Sequence, residues 1–326
     1  MPDLPFIARA RSFADRIAFR TSDASHTYQQ LLDRSAEIAS ALLGDQSDLQ
    51  EARVALLVTP GFEYTSSQWA IWRAGGIKLP ICLSATESEW EYALTDSQVS
   101  TVIADTDKIA PLCERLGIRL ILVSSVQGES KPLPDIDVNR RAMILYTSGT
   151  TSKPKGVVTT HANIQAQIES LVTAWEWSAE DRIPMFLPLH HIHGIINITG
   201  CALWSGAVVE PFSRFEMNAI LQRVRDDAYT LFMAVPTIYV KLIQAIESAS
   251  EADRAAIVAP DGSRADAAAL AARLKVLYAP SLVFFDATGA EAFRIESYLR
   301  AFHLAAAMEY VASGAYRSEP SFQRYI

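Results

Sequence analysis

Between Thr27 and Val123, mainly apolar stretches of strand length alternate with stretches patterned as helices. The run at residues 54–58 lacks the apolar–polar alternation of a half-exposed strand, as expected where both faces are covered, and further strands are predicted at 77–81, 99–104 and 118–123. Helix signals fill the gaps. Thr27 with Gln30, and Thr86 with Glu89, are spaced as capping boxes; Leu31, Leu32, Ile38, Ala39 and Leu42 form an apolar stripe behind the first, and Gly44 and Gly75-Gly76 supply stops. Helices are predicted over residues 27–42, 62–74 and 109–116. This regular switching constrains the chain to an α/β fold of doubly wound, mostly parallel sheets.

Residues 124–140, with prolines, acids and no periodicity, read as a surface connection. The pattern resumes with strands at 142–146 and 156–160 around a polar loop, and at 207–209 and 229–235. A helix is predicted over 215–225, and Pro236 opens another reaching 247. Beyond Ser248 the composition shifts to an alanine-rich stretch, 249–272, broken by a turn at Pro260-Asp261-Gly262. Strands at 282–285 and 292–295 about a turn, a helix over 301–312 and a polar, aromatic end complete the chain. At 326 residues two domains are expected, 1–248 and 249–326.

Lys plus Arg number 29 against 37 Asp plus Glu, a net charge of −8, which argues against a broad nucleic-acid surface. Cys82, Cys113 and Cys201 are widely spaced without a CxxC, suit neither a zinc ribbon nor a disulfide framework, and point to a reducing, cytoplasmic setting. The first residues lack a signal-peptide pattern. The longest apolar stretch, 192–209, contains His193, Asn197, Thr199 and Ser205, so a buried helix and strand is expected there and not a membrane span.

The loop Tyr146-Thr147-Ser148-Gly149-Thr150-Thr151-Ser152-Lys153-Pro154-Lys155-Gly156 concentrates hydroxyls, two lysines and two glycines. Such a segment offers backbone N–H groups, O–H donors and positive charge to an anion, with polyphosphate the natural candidate. It is not a Walker A loop, since six residues separate Gly149 from Gly156. The alternative is a solvated turn joining two strands. His190, His191 and His193 fall within four residues; with no carboxylate or cysteine at ligand spacing, packing is favoured over a metal.

Residues 146–158, YTSGTTSKPKGVV, closely resemble the phosphate loop of the adenylate-forming superfamily, which includes acyl-CoA synthetases, luciferases and peptide-synthetase adenylation domains. Residues 27–42, 61–81, 187–194 (LPLHHIHG) and 232–242 (FMAVPTIYVKL) agree in the order that family shows, so the resemblance covers about 1–248. The run PLHHIHG followed by CALWSGA is most similar to malonyl-CoA synthetases. The resemblance implies a two-step ligation: a small carboxylic acid attacks the α-phosphorus of ATP, pyrophosphate leaves, and the thiol of coenzyme A captures the acyl adenylate. It implies that Thr147, Ser148, Gly149, Thr150, Thr151, Lys155 and Gly156 hold the nucleotide and that Lys153, Lys155 and His191 act in catalysis, with Mg²⁺ sharing the charge. His190, His191 and His193 are then the acid-binding residues.

The departures weigh equally. The family's Gly-x-Thr-Glu motif, its ribose-binding Asp and the C-terminal domain with its catalytic Lys find no match between Ser248 and Ile326. The adenylate-forming domain is therefore incomplete, and uncovered apolar faces predict self-association or a partner chain covering the missing half. Residues from about 255 to 326 resemble the C-terminal half of a thioredoxin-fold protein, with Pro280 at the cis-proline position. Two other readings stand beside the ligase: a truncated or fused, non-catalytic nucleotide-binding protein, and a thioredoxin-like redox module, the latter lacking a CxxC.

Overall fold

The computed structural model describes residues 4–147, 154–226, 228–247, 257–258, 264–265, 282–285, 290–295, 307, 309–319 and 321–322. The chain divides into two compact units, Met1–Ala234 and Val235–Ile326.

In the first unit, helix α1 (Pro5–Ala10) and strands β1 (Ile17–Arg20) and β2 (Ser25–Thr27) precede α2 (Tyr28–Leu43). There follow β3 (Arg53–Leu57), α3 (Phe62–Arg73), β4 (Ile77–Pro80), α4 (Glu87–Asp96), β5 (Thr101–Ala104), α5 (Ala110–Leu116) and β6 (Arg119–Leu122). The hairpin β7 (Arg141–Thr147) and β8 (Lys155–Thr160) leads into α6 (His161–Ala174), β9 (Arg182–Met185), a π-helix (His193–Gly200), α7 (Cys201–Ser205), β10 (Val208–Pro211) and α8 (Met217–Arg225).

Two sheets result. One has the order β6-β5-β3-β4-β7-β8, parallel except for the antiparallel β7–β8 pair. The other has the order β2-β1-β10-β9, with β1, β10 and β9 parallel and β2 antiparallel to β1. The expected α/β class holds, with both faces of the larger sheet covered. On one, Ala55, Leu57, Ile77, Leu79, Val102 and Ala104 pack with Leu94 of α4 and Leu112 and Cys113 of α5. On the other lies α3, buried at every residue from Tyr64 to Arg73.

Both predicted capping boxes form. Thr27 Oγ1 accepts from Gln30 N at 3.2 Å while Gln30 Oε1 accepts from Thr27 N at 2.8 Å. Thr86 and Glu89 do the same at the start of α4. A third box, Thr160 with Asn163, opens α6 and was not foreseen. The stretch at 192–209 is a helix and strand, but its first part is a π-helix. Thr199 Oγ1 donates to Gly194 O at 2.9 Å, five residues back, supporting the wider turn.

The strand predicted at 229–235 does not form. Thr230 N and Leu231 N both donate to Arg182 O, at 3.0 and 3.2 Å, and the Thr230 side chain accepts from Arg182 N at 2.9 Å. A hydroxyl has taken the place of a backbone carbonyl, so the segment touches the start of β9 and no ladder follows.

In the second unit, α9 (Pro236–Glu247) matches its prediction. Short strands β11 (Ile257–Val258) and β12 (Arg264–Ala265) pair, as do β13 (Leu282–Phe285) and β14 (Glu291–Ile295), each antiparallel. Tyr310 is buried, its ring 5.1 Å from that of Phe293, and its hydroxyl donates to Glu319 O at 2.6 Å. Most of the alanine-rich stretch, with the Pro260-Asp261-Gly262 turn, lies outside the described residues, as do Pro280 and the turn at 286–289. Among the described residues no helix is long and apolar enough to cross a membrane.

Candidate functional site

The β7–β8 hairpin carries the hydroxyl-rich loop. Its register sets Thr147 opposite Lys155 and Tyr146 opposite Gly156. Ser148, Gly149, Thr150, Thr151 and Lys153 lie outside the described residues. Both feet of the loop are tied to α4. Tyr146 donates its hydroxyl to Asp96 Oδ2 at 2.5 Å and lies 2.9 Å from Ser97 Oγ, while Tyr92 donates to Pro154 O at 3.0 Å. The two tyrosine rings meet edge to face with centroids 5.9 Å apart. Burial, and then the Asp96 carboxylate, push the Tyr146 phenol up to about 12, so it stays a neutral donor.

Gly156 is required where it sits. A Cβ there would stand 2.9 Å from Ile144 Cγ2 and 3.7 Å from the Tyr146 ring. A depression of about 420 Å³ opens beside this point, with Arg53, Asp96, Arg141, Tyr146, Gly156 and Val158 in its wall. Its two arginines already have partners. Arg141 pairs with Glu51, and Arg53 donates to Ser97 O at 2.8 Å and to Gln98 Oε1 at 2.6 Å. Of the loop's two lysines Lys155 is described, and it is exposed.

The histidines follow β9, on the second sheet. The rings of His190 and His191 are 4.2 Å apart, centre to centre. Burial, and then the neighbouring His191, push His190 down to about 4, so it is uncharged at neutral pH. Burial also lowers His193. Asn197 Nδ2 lies 3.4 Å from His193 Nδ1, and Asn197 Oδ1 accepts from Gln167 Nε2 at 2.8 Å. With Asn197 donating, Nδ1 accepts and Nε2 carries the proton. That buried Nε2 has no hydrogen-bond partner among the described residues. His191 is exposed.

The structure thus gathers Thr147, Lys155 and Gly156 at one hairpin and His190, His191 and His193 at the entry to the π-helix. Among the described residues no group of His, Cys, Asp or Glu is placed to hold a metal ion. Sequence reasoning missed Tyr92, Asp96 and Tyr64, whose hydroxyl donates to Leu189 O, next to His190. Each acts on a segment distant in sequence, and no local pattern announces it.

A model of the AMP-binding enzyme family matches residues 6–310. The mitochondrial malonate–CoA ligase ACSF3 of Xenopus laevis is 39% identical over 260 residues, covering 74% of this chain and 45% of that protein. A malonate–CoA ligase of Arabidopsis thaliana is 30% identical over 286 residues, covering 74% of this chain and 46% of its own. The crystal structure of ATP-bound MatB from Rhodopseudomonas palustris superposes with a TM-score of 0.68 at 26% identity, over 74% of this chain and 51% of MatB. The Bacillus subtilis o-succinylbenzoate CoA synthetase MenE, in complex with its acyl-adenylate intermediate, shares the fold with a TM-score of 0.69 at 24% identity, over 76% of this chain and 66% of MenE. The chain spans about half the length of the curated relatives it matches.

Proposed function

The chain belongs to the AMP-binding enzyme family, and we propose that it carries the phosphate-gripping and acid-binding half of an ATP-dependent acid–CoA ligase of malonyl-CoA synthetase type. The observation that carries this reading is the β7–β8 hairpin, whose register sets Thr147 opposite Lys155 at the feet of a loop of hydroxyls and lysines. The reaction would join a small carboxylic acid to AMP with loss of pyrophosphate, and then transfer the acyl group to coenzyme A. Both reactants of the first step are anions, so placement and charge neutralisation supply most of the catalysis.

In this reading Thr147, Ser148, Thr150 and Thr151 donate to phosphate oxygens, Gly149 and Gly156 let the backbone approach, and Lys153 and Lys155 offset the charge of the leaving pyrophosphate. His191, exposed beside a neutral His190, faces the acid carboxylate, and the free Nε2 proton of His193 meets a second carboxylate. Mg²⁺ has no evident holder among the described residues, so no step is assigned to it; it would arrive on the phosphates of ATP.

The curated relatives are about twice as long as the span matched here, and turnover would draw on the remainder of a ligase, from a partner chain or a longer product. Self-association is the related expectation, since among the described residues β8 is an edge strand with Val157 and Val158 about half exposed. The free thiols Cys82, Cys113 and Cys201 suit a reducing compartment such as the cytoplasm. The other reading is a nucleotide-binding protein without turnover, and pyrophosphate release separates the two. The thioredoxin-like resemblance of the C-terminal segment rests on its sequence alone.

Pyrophosphate release on mixing the chain with ATP, Mg²⁺ and malonate tests the ligase reading. Release dependent on malonate, and abolished by Lys153→Ala with Lys155→Ala, is the expected result. Nucleotide binding without release, unaffected by those substitutions, would leave only shared ancestry with a ligase.

A further inference from the structure

Helix α3 buries a chain of polar side chains that ends at the Leu189 carbonyl, next in sequence to the histidines. Lys78 on β4 is fully buried, its Nζ donates to Gln68 Oε1, and it lies 4.8 Å from the centre of the Tyr64 ring. Tyr64, one turn before Gln68 on α3, is 4% exposed, and its hydroxyl donates to Leu189 O at 2.5 Å. Leu189 immediately precedes His190.

We propose that Tyr64 is a positioning residue for the acid-binding side of the site, holding the Leu189 carbonyl so that His190 and His191 leave the chain from a fixed backbone. The proposal rests on the reading of those histidines as acid-binding. A buried phenol without a partner is unfavourable, so hydroxyl and carbonyl hold each other. Gly194 restrains the same segment from the π-helix side, since a Cβ there would stand 3.1 Å from Leu189 Cδ2 and 3.2 Å from Pro188 O. Lys78 supports the Tyr64 ring. Its burial holds the amine well below the ordinary lysine range, because attraction to an aromatic face does not replace the lost hydration of a cation. The bond from Nζ to Gln68 holds the amine beside the ring and keeps both in place.

Tyr64→Phe removes one oxygen and keeps the ring. The side-chain NMR resonances of His190 and His191 are expected to shift in this variant, and the Kd for malonate to rise about threefold to tenfold. Tyr28→Phe is the control. It breaks an equally buried phenol bond, to Ala207 O at 2.7 Å, and should leave both readouts unchanged. Lys78→Met leaves the hydroxyl bond in place and should shift the histidines less than Tyr64→Phe. Histidine resonances in Tyr64→Phe that superimpose on the wild type overturn the proposal, as does a larger shift in Lys78→Met. If the wild-type chain binds no malonate, the acid-binding reading fails separately, and the resonances still decide whether Tyr64 sets the histidines.

Discussion

Tyr146 and Asp96 are joined by a 2.5 Å hydrogen bond that fastens the first foot of the hydroxyl-rich loop to the end of helix α4. The bond links the strand entering the candidate phosphate site to a helix fixed by its own capping box and by Leu94 in the core. Loop placement therefore depends on residues that would not touch a ligand.

Tyr146→Phe should lower stability by about 1–2 kcal/mol, the ordinary effect of losing a charge-assisted hydrogen bond. The pH dependence has a defined sign. The folded phenol titrates above its unfolded value, at about 12, so its contribution is complete below about pH 10 and lost as pH rises through 12. Denaturant unfolding between pH 9 and 12 should show this decline in the wild type and less of it in the variant.

Gly156→Ala should destabilise the hairpin by about 1–3 kcal/mol, because the new methyl falls within 2.9 Å of Ile144 Cγ2. Ile144→Ala removes Cγ2 itself, so Gly156→Ala should cost less in that background than in the wild type. Urea midpoints of the single and double variants check this, and strict additivity would contradict it.

The buried histidines predict an acid-side loss of stability. Burial pushes His190 and His161 each down to about 4. Their neutral forms stabilise the fold fully above about pH 6.5, and that contribution is lost as pH falls through 4. His190→Gln should flatten part of the slope of unfolding free energy between pH 6.5 and 4, and the remainder should persist through His161 and His193.

The edge strand predicts association. Val157→Lys with Val158→Lys should move the chain toward monomer in sedimentation velocity, since charge on an exposed edge opposes pairing. An unchanged distribution would remove β8 as the associating surface.

Much of the first unit was legible because its signals are local. Thr27 with Gln30 and Thr86 with Glu89 state where two helices begin, and the unalternating run at 54–58 states that β3 is covered on both faces. Strands β1, β2 and β9 were missed because they are short, β2 being polar as well and β9 interrupted by Pro184. The misread segment at 229–235 has strand-like residues, but the Thr230 hydroxyl satisfies Arg182 N where a ladder would need a carbonyl. The candidate site divides in the same way. The composition of the loop and the three histidines were visible as patterns, whereas the Tyr64–Leu189 bond spans 125 residues and is fixed by packing alone.

Isothermal titration of the chain with Mg-ATP, alongside Lys153→Ala and Lys155→Ala, measures most directly whether the loop grips phosphates. Saturable binding that weakens about tenfold or more with each substitution, as loss of a charge-assisted contact implies, is the predicted result. Binding of equal strength in all three proteins, or none in the wild type, would contradict it.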